Sequence, residues 1–325
     1  LKALGVGEGD DVIVTPRTFL ASVSSVVTAG ANPIFADVDL NSQNIEAAEI
    51  EKVITPRTKA VVVVHLAGMP AEMEAIMALA EKYGFYVIED CAQAHGAKYK
   101  GRSVGSIGHV GCWSFCQDKI MTTGGEGGMV TTNEKALWSK MWSYKDHGKC
   151  YETIYDRQHP SGFRWLHESF GTNWRLTEMQ AALGRIQLKR MPVWTSKRQE
   201  NGKALDEVAK KFSMVRTVEM ATNCKHAEYK HYLFVVPENL AEGWTRDKIV
   251  AAINECGVPC FQGSCSEVYL EKAFDGTPWR PFERLPNAKE LGETSLMFLV
   301  HPTLTIVELK KMQHTLAEVF LRAQR

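Results

Sequence analysis

The sequence predicts an α/β protein whose mostly parallel sheet is followed by a smaller α+β region. Short apolar runs alternate with helix-like stretches over residues 11–90, and this spacing favours right-handed crossovers between parallel strands. The run at 60–64, Ala-Val-Val-Val-Val, is apolar throughout, as expected of a strand that is buried on both faces. After residue 195 the strand-like segments become sparser and mix with longer helical ones.

The elements of the first half follow from apolar periodicity and from the residues that end each run. Strands are predicted at residues 11–15, 33–38, 60–64, 85–90, 110–115 and 129–132, and helices at 18–29, 70–84 and 133–144. The helix that begins at Pro70 carries Met73, Ile76 and Ala80 on one face, and Gly84 closes it. Residues 149–170 have no clear period but are rich in aromatic side chains, which predicts a loop over a substrate site near a subunit boundary.

The second half begins with a capping-box pattern, because Thr177 is followed three residues later by Gln180. We expect Pro192 to kink or interrupt the helix that starts there, before a second helical run to about Phe212. Strands at 232–236 and 258–261 and helices at 245–255 and after Thr305 complete the chain. We therefore predict a large domain at 1–195, and a linking helix with a small C-terminal domain at 196–325.

Composition limits the classes of partner and compartment. Lysine plus arginine equals aspartate plus glutamate, 38 each, so no net field attracts a nucleic acid, and no apolar run approaches the length of a membrane span. The eight cysteines include no CxxC pair, and the spacing of Cys256, Cys260 and Cys265 suits no common zinc motif. We expect reduced thiols, no metal and a cytoplasmic location.

The stretch from Phe85 to Val130 contains the candidate catalytic and cofactor-binding residues. One predicted strand ends at Asp90, the next ends near Ser114, Lys119 follows five residues after that serine, and a glycine-rich loop comes next. Ligands of open α/β folds bind at the carboxyl edge of the sheet, where these side chains are expected. A carboxylate, an amine among apolar residues and a hydroxyl suit pyridoxal 5′-phosphate, which needs an imine lysine, an acid at its ring nitrogen and donors for its phosphate. We predict these three roles for Lys119, Asp90 and Ser114, respectively.

Each assignment has an ordinary structural alternative. Most lysines are solvated surface charges, Asp90 can cap a following helix, and the Ser114 hydroxyl can bond to backbone. An alternative interpretation of the glycine loop at 124–128 is a phosphate-binding loop of the dinucleotide type. The loop lacks G-x-G-x-x-G spacing and precedes a strand instead of a helix, so that interpretation fails on context.

The same motifs resemble a known family. EDCAQAHGA at 89–97, the serine five residues before the lysine, K-x-x-x-T-x-GEGG from Lys119, and GTNWR at 171–175 are similar to the nucleotide-sugar aminotransferases of the DegT/StrS type. The resemblance extends from about Leu4 to the C-terminus. It implies the aspartate-aminotransferase-like fold (fold type I of the pyridoxal phosphate enzymes), with a large-domain sheet of the seven-stranded type. Residues 1–195 would then be the pyridoxal phosphate-binding domain.

The resemblance also implies roles for further residues. Gln93 would lie against one face of the cofactor ring and Phe19 near the other, while Asn173 would reach the phosphate of the cofactor in the neighbouring subunit of a homodimer with shared active sites. His147 and Arg175 are candidate substrate contacts. The alternatives are a core position for Phe19, a loop-holding role for His147, and ordering of the turn before the capped helix by Asn173 and Arg175.

The implied reaction is transamination, with an amino acid, expected to be glutamate, donating the amino group and a nucleotide-linked keto sugar accepting it. Lys119 would serve as general base and then acid. The product would be an amino-deoxy sugar for a surface polysaccharide or a natural product. Two alternatives stay open, a cofactor-binding subunit without turnover and a cofactor-dependent sugar dehydratase. The dehydratases of the family carry histidine in place of the lysine, so Lys119 favours transfer, and the absent glycine fingerprint disfavours a nicotinamide-dependent reductase.

Two features depart from the family pattern. The sequence begins at Leu1 without methionine, in what looks like the last turn of a helix closed by Gly5, so we expect earlier residues. These would include a Gly-Ser/Thr turn that holds the cofactor phosphate at a helix N-terminus. In addition, residues 261–267 (FQGSCSE) replace a His-Tyr-x-Pro-Leu-His type segment that lies near the substrate in relatives, which leaves the sugar, the aminated carbon and the nucleotide open.

Overall fold

The structure, a computed structural model, describes residues 1–159, 161–162, 164–221 and 223–325. Pro160 and Phe163, in the aromatic loop predicted at 149–170, lie outside the described residues, as does Thr222. The strands are β1 Asp11–Val14, β2 Asn32–Phe35, β3 Thr58–Val64, β4 Tyr86–Asp90, β5 Lys98–Tyr99, β6 Arg102–Ser103, β7 Val110–Ser114, β8 Gly128–Thr131, β9 Val215–Thr217, β10 Cys224–Lys225, β11 His231–Val235, β12 Cys260–Phe261 and β13 Ser295–Phe298. The α-helices are α1 Ala21–Thr28, α2 Ala47–Val53, α3 Met73–Tyr83, α4 Lys135–Lys145, α5 Tyr151–Tyr155, α6 Glu178–Ala209, α7 Arg246–Glu255, α8 Pro286–Thr294 and α9 Ile306–Ala323.

The large sheet has the strand order β2-β1-β3-β4-β7-β8. The first five of these strands are parallel and β8 runs antiparallel to β7. Ile13, Val61 and Val63 are fully buried, which explains why the central strands carry continuous apolar runs and not an alternating pattern. The prediction of a mostly parallel α/β sheet is confirmed, and the described residues supply six strands of the seven-stranded type.

A second sheet, β12-β13-β11-β9, is antiparallel. One of its faces packs with α6, α7 and α9 around a separate core that includes Leu233, Phe298 and Leu316. The α+β character predicted for the C-terminal part is therefore present. The division at residue 195 stays a prediction.

Both predicted capping boxes are present at the starts of α6 and α9. Our expectation for Pro192 was wrong in one respect, because α6 runs as one helix of 32 residues with the proline inside it. A proline at 192 removes the hydrogen bond to the carbonyl of Leu188. The Leu188 side chain is 61% exposed, so this carbonyl belongs to the outer side of the helix, where water can replace the missing donor.

A small sheet, β10-β5-β6, was not predicted, because two-residue strands leave no periodicity in the sequence. It joins the chain after β4 to residues 224–225 near the start of the second half. The segment that follows β10 is thereby brought to the carboxyl edge of the large sheet. Throughout the part of the chain that the structure describes, no helix combines the length and the apolarity required to cross a membrane.

Candidate active site

The two acidic residues that end β4 have different functions in the structure. Glu89 is fully buried and accepts hydrogen bonds from the N–H groups of Gly105 (2.7 Å), Ile107 (2.8 Å) and Gly108 (2.6 Å). Burial favours a raised pKa for Glu89, but His65 and these donors outweigh it and lower the pKa. Glu89 therefore holds the loop that leads into β7, and its neighbour Asp90 points to the other face of the sheet.

His65, Glu89 and Cys91 bring three potential metal-ligand atoms within 4.8 Å of one another. The N–H of Ala71 donates to His65 Nδ1 at 3.1 Å, so the ring proton is on Nε2, which lies 3.0 Å from Glu89 Oε2 and donates to it. Hydrogen bonds already use the His65 and Glu89 atoms. We interpret this cluster as structural.

Asp90 is partly buried at the carboxyl end of β4, as predicted. Its Oδ2 accepts a hydrogen bond from the hydroxyl of Ser22 at 2.8 Å. The Thr18 hydroxyl lies 2.8 Å from Ser22 Oγ, and because the Ser22 proton is directed to Asp90, Thr18 is the donor. Sequence reasoning missed Ser22, which has no motif of its own and reaches Asp90 only because α1 packs across the strand ends.

Ser114 and Lys119 follow the neighbouring parallel strand. Cys112 of β7 is in register with Asp90, Ser114 is the last residue of β7, and Lys119 lies in the turn beyond it. The side chain of Lys119 is only 16% exposed, which excludes the interpretation of a solvated surface lysine. Ser114 Oγ accepts the Cys116 N–H at 3.3 Å, and no hydrogen bond among the described residues uses its proton.

Phe19 is 71% exposed and not in the core. The loop that carries it is held by Arg17, which is fully buried and donates from Nε and Nη2 to Gln43 Oε1 at 3.1 and 2.9 Å. The Thr18 N–H also donates to the carbonyl of Cys265 at 3.1 Å. The segment 261–267, where the chain departs from the family pattern, is thereby fixed beside Phe19 at the same sheet edge as Asp90.

Gln93 lies in the turn three residues after Asp90 and is partly buried. Its Oε1 accepts the Ala67 N–H at 2.7 Å, which fixes the orientation of the amide. If Gln93 lies against the cofactor ring as predicted, it makes this contact with the flat face of its amide, because the amide oxygen is already hydrogen-bonded to Ala67.

The remaining predicted site residues form a separate unit. Asp146 pairs with Asn173 in an isolated antiparallel bridge, and the N–H of His147 donates to the carbonyl of Thr172 at 2.8 Å. Arg175 Nε donates to Asn173 Oδ1 at 3.0 Å. Asn173, His147 and Arg175 are exposed, and among the described residues no hydrogen bond or ion pair joins them to Asp90 or Lys119.

A buried charge network that the sequence did not reveal lies behind the site. His231 Nδ1 is 3.2 Å from Glu228 Oε2, and its Nε2 is 3.1 Å from Asp206 Oδ1 on α6. Burial favours a lower pKa, but the two carboxylates outweigh it and raise the pKa of His231 from 6.5 to about 10. The imidazole is therefore protonated at neutral pH and donates from both nitrogens. The only sequence signal is the run of titratable residues from His226 to His231.

This network predicts a pH dependence of stability. Because the pKa of His231 is higher in the folded state, its stabilisation is fully present below pH 6.5 and is lost as the pH rises through about 10. We expect the free energy of unfolding, measured in urea at pH 7, 8.5 and 10, to fall with pH in the wild type. His231→Leu should cost about 3–5 kcal/mol at pH 7, because Glu228 and Asp206 lose their counter-ion, and should flatten the slope. Substitution of the exposed His314 by leucine is the control, and equal slopes in all three proteins would contradict the assignment.

The residues present fit pyridoxal 5′-phosphate. Asp90 retains Oδ1 for an N–H of the ring, although the backbone N–H of Ala92 also contacts it at 3.1 Å. Lys119 supplies a largely buried amine, and Ser114 supplies a hydroxyl proton for which the described residues show no acceptor. These groups follow the ends of adjacent parallel strands, and Phe19 and Gln93 are attached to the same edge.

Known proteins are similar to this chain over nearly its whole length. Residues 1–317 match the DegT/DnrJ/EryC1/StrS aminotransferase family. A Geobacillus stearothermophilus protein named pleiotropic regulatory protein is 31% identical over 320 residues, which cover 98% of this chain and 81% of that protein. GDP-perosamine synthase of Escherichia coli O157:H7 is 42% identical over 200 residues, which cover 62% of this chain and 52% of the synthase. The match thus spans about half the length of the synthase.

Among solved structures, an aminotransferase from Psychrobacter cryohalolentis is 60% identical to this chain. The TM-score is 0.97, and the superposition covers 99% of this chain and 83% of the other. The fold predicted from the family resemblance is therefore confirmed.

Proposed function

Because the chain belongs to the DegT/DnrJ/EryC1/StrS aminotransferase family, we propose that it is a pyridoxal phosphate-dependent enzyme that transfers an amino group from an amino acid to a keto sugar nucleotide. The observation that carries this proposal is the register between β4 and β7. It brings the Asp90 carboxylate and the turn with the Lys119 amine to one edge of the sheet. A carboxylate for the ring nitrogen and an amine for the reactive carbon are the two groups without which this chemistry does not proceed.

When bound, the cofactor supplies an electron-withdrawing ring and a carbon that accepts the amino group. Lys119 would hold it covalently through Nζ, Asp90 would keep the proton on its ring nitrogen, and Ser114 would donate to its phosphate. Gln93 and Phe19 would contact the two faces of the ring. Ser22 and Thr18 act on Asp90 alone, because their hydroxyl chain orients the carboxylate.

The central task of this chain is the movement of one proton. In the first half of the reaction the free Nζ of Lys119 would take a proton from the α-carbon of the donor, which we propose is glutamate, and would then, as an acid, deliver it to the cofactor carbon that retains the amino group. In the second half, with the keto sugar, the same atom works in the opposite order. The small exposed fraction of Lys119 limits the exchange of this proton with water.

A substrate assay tests the proposal. The enzyme carrying the cofactor, supplied with glutamate and a 4-keto-6-deoxy nucleotide sugar, should form 2-oxoglutarate and an amino sugar nucleotide in equal amounts. A panel that varies the nucleotide, the sugar and the amino donor then identifies the substrates. Failure to form 2-oxoglutarate or any other keto acid across the panel would exclude the transferase.

One observation favours a second candidate, a cofactor-binding protein without turnover. The Geobacillus stearothermophilus relative, which aligns over 98% of this chain, is named pleiotropic regulatory protein. The same panel separates the two candidates, because a binding protein forms no keto acid although it binds the cofactor. A sugar dehydratase, in contrast, would consume the sugar nucleotide without consuming the amino donor.

We also propose a homodimer with shared active sites. Met179, Leu183 and Ile186 form one face of α6, and they are 79, 46 and 51% exposed. Trp174, 70% exposed, extends this apolar surface towards the exposed Asn173. An apolar face of this extent is typical of an interface. If a second copy covers it, Asn173 lies beside the partner's site, which agrees with the lack of contacts between Asn173 and Lys119 within one chain.

Ile186→Glu should therefore convert the dimer into a monomer, because a charge in the centre of the apolar face must be desolvated on association. Analytical ultracentrifugation should show about half the wild-type mass. Amino transfer should be lost with it, if Asn173 serves the neighbouring site. Val307→Glu is the matched control, since Val307 is an apolar residue of α9 with 77% exposure that lies outside the proposed interface. A wild-type protein that sediments as a monomer would contradict the shared site.

We place the enzyme in the cytoplasm, in the synthesis of an amino-deoxy sugar for a surface polysaccharide or a natural product. All eight cysteines are free thiols in the structure. Six of them are neither buried nor paired, as expected in a reducing compartment: Cys112, Cys116, Cys150, Cys224, Cys256 and Cys265.

A further inference from the structure

Tyr229 contacts the predicted active-site lysine although it lies 110 residues away in the sequence. Its ring centroid is 5.2 Å from Lys119 Nζ, within the range of a cation–π interaction. Its hydroxyl donates to Oδ2 of Asp118 at 2.7 Å. The other oxygen of Asp118 is 3.6 Å from Lys119 Nζ. Tyr229 therefore contacts both members of the Asp118–Lys119 pair, and the function proposed above uses neither Tyr229 nor Asp118.

The backbone of Tyr229 is fixed from two directions. Its N–H donates to the carbonyl of Ala67 at 2.8 Å, beside the loop that follows β3. The preceding residue, Glu228, has φ 51°, a conformation that non-glycine residues adopt at a cost. Arg198 of α6 donates to the Glu228 carbonyl at 3.2 Å, and the Glu228 side chain is tied to protonated His231. These contacts compensate for the strained backbone and keep the Tyr229 ring beside Lys119.

The distances around Asp118 indicate what the hydroxyl does. A charge-assisted bond between ammonium and carboxylate is normally about 2.7–2.9 Å long, so the 3.6 Å separation from Lys119 is a loose pair. The Asp118 side chain is 58% exposed, and burial does not restrain it. Burial favours a raised pKa for Asp118, but the Tyr229 hydroxyl and Lys119 outweigh it and lower the pKa, so the carboxylate is charged.

We propose that Tyr229 is a positioning residue whose hydroxyl holds the Asp118 carboxylate back from Lys119 and so keeps the lysine amine available for proton transfer. The proposal rests on the proposed function for the role of that amine. Without the hydroxyl, Asp118 can close on Lys119 and hold it as a hydrogen-bonded ammonium. The charged groups near this pair from other parts of the described chain are Arg198 and Lys230, whose Nζ is 4.8 Å from the centroid of the Tyr229 ring.

The test is a double-mutant cycle with Tyr229→Phe and Asp118→Asn. Tyr229→Phe keeps the ring beside Lys119 and removes only the hydroxyl. We expect kcat for amino transfer to fall about tenfold, with KM for the sugar nucleotide unchanged. In the Asp118→Asn background, where no carboxylate can close on the amine, the same change should have an effect of less than about twofold. An equal loss in both backgrounds would overturn the proposal, because Tyr229 would then act independently of Asp118.

A second measurement does not depend on turnover. In the full-length protein after removal of the cofactor, the rate of acetylation of Lys119 by acetic anhydride can be followed by peptide mass spectrometry. Tyr229→Phe should slow this rate severalfold and Asp118→Asn should restore it, whereas an unchanged rate in Tyr229→Phe would contradict the role of the hydroxyl. This measurement involves no substrate, so its result is valid even if the protein forms no keto acid. Failure of the proposed function can therefore be distinguished from failure of the positioning role.

Tyr83→Phe is the matched control, since the Tyr83 hydroxyl also donates to a carboxylate, Glu51, at 2.7 Å. That pair is exposed on the opposite end of the sheet, so its removal should change neither kcat nor the acetylation of Lys119. If Tyr229→Phe does not fold, Asp118→Asn alone decides. A large acceleration of Lys119 acetylation in that variant would mean that Asp118 already holds the ammonium tightly, against the proposal, and a change of less than about twofold would support it.

Discussion

Lys119→Ala should show neither bound cofactor absorbance in the visible nor amino transfer. The substitution removes the amine that we propose binds the reactive carbon covalently, and with it the base that moves the proton. General acid–base catalysis alone contributes roughly 10²–10⁴-fold, so the residual rate of amino transfer should be lower than the wild-type rate by at least that factor. The measurements are the visible spectrum after dialysis against cofactor and single-turnover kinetics with glutamate.

Lys230→Ala is the control for this experiment. Lys230 is a second ammonium close to the Tyr229 ring, with its Nζ 4.8 Å from the ring centroid, and is therefore an alternative lysine near the site. The spectrum of Lys230→Ala should retain the visible band. If Lys119→Ala kept the band and Lys230→Ala lost it, the assignment of the covalent attachment to Lys119 would be wrong, together with the mechanism.

Asp90→Asn should retain the cofactor band but transfer the amino group at least roughly 10²-fold more slowly, because a neutral amide cannot stabilise the proton on the ring nitrogen. The amide has nearly the shape of the carboxylate and can still accept from Ser22, so folding should be unaffected. The measurements are kcat and the thermal unfolding midpoint. A wild-type kcat would show that Asp90 does not serve the ring nitrogen and has only a structural role, as the acceptor of the Ser22 hydroxyl and the backbone N–H of Ala92.

Glu89→Gln provides the contrast one residue earlier. Glu89 is fully buried and accepts three backbone N–H bonds, and Gln would present an N–H group to one or more of these donors. We expect this variant to lose stability by about 1–3 kcal/mol while the kcat of the folded fraction changes little. Together, the Asp90→Asn and Glu89→Gln variants should thus show a catalytic role for Asp90 and a structural role for Glu89.

Much of this protein could be predicted because the relevant interactions are local. A few consecutive residues are enough to predict the apolar run of β3, the capping boxes at Thr177 and Thr305, and the position of Asp90 at the end of a strand. A parallel sheet then brings the ends of neighbouring strands to one edge. Lys119 and Ser114 needed the family resemblance in addition, because lysine and serine have no strong periodic signal.

Other features had no local signal. Proline at 192 normally ends a helix, yet α6 continues, because its outer side gives the unpaired carbonyl access to water. Ser22 and Arg17 are ordinary polar residues in sequence, and only the packing of α1 and of the segment around Cys265 gives them their partners. The exposure of Asn173 also depends on a non-local contact, its antiparallel bridge with Asp146.

The sequence by itself determined the order of the elements, and together with the family resemblance it predicted the sheet edge of the site and the residues with the necessary chemistry. The tertiary structure decided which of two adjacent carboxylates is fully buried and holds a loop, that a histidine from β11 is protonated, and that Tyr229 reaches Lys119. The reason is physical. Apolar periodicity and the residues that cap or end each run are local properties that set the helices and the strand ends, whereas burial, charge pairing and pKa depend on groups that only folding brings within a few ångströms of one another.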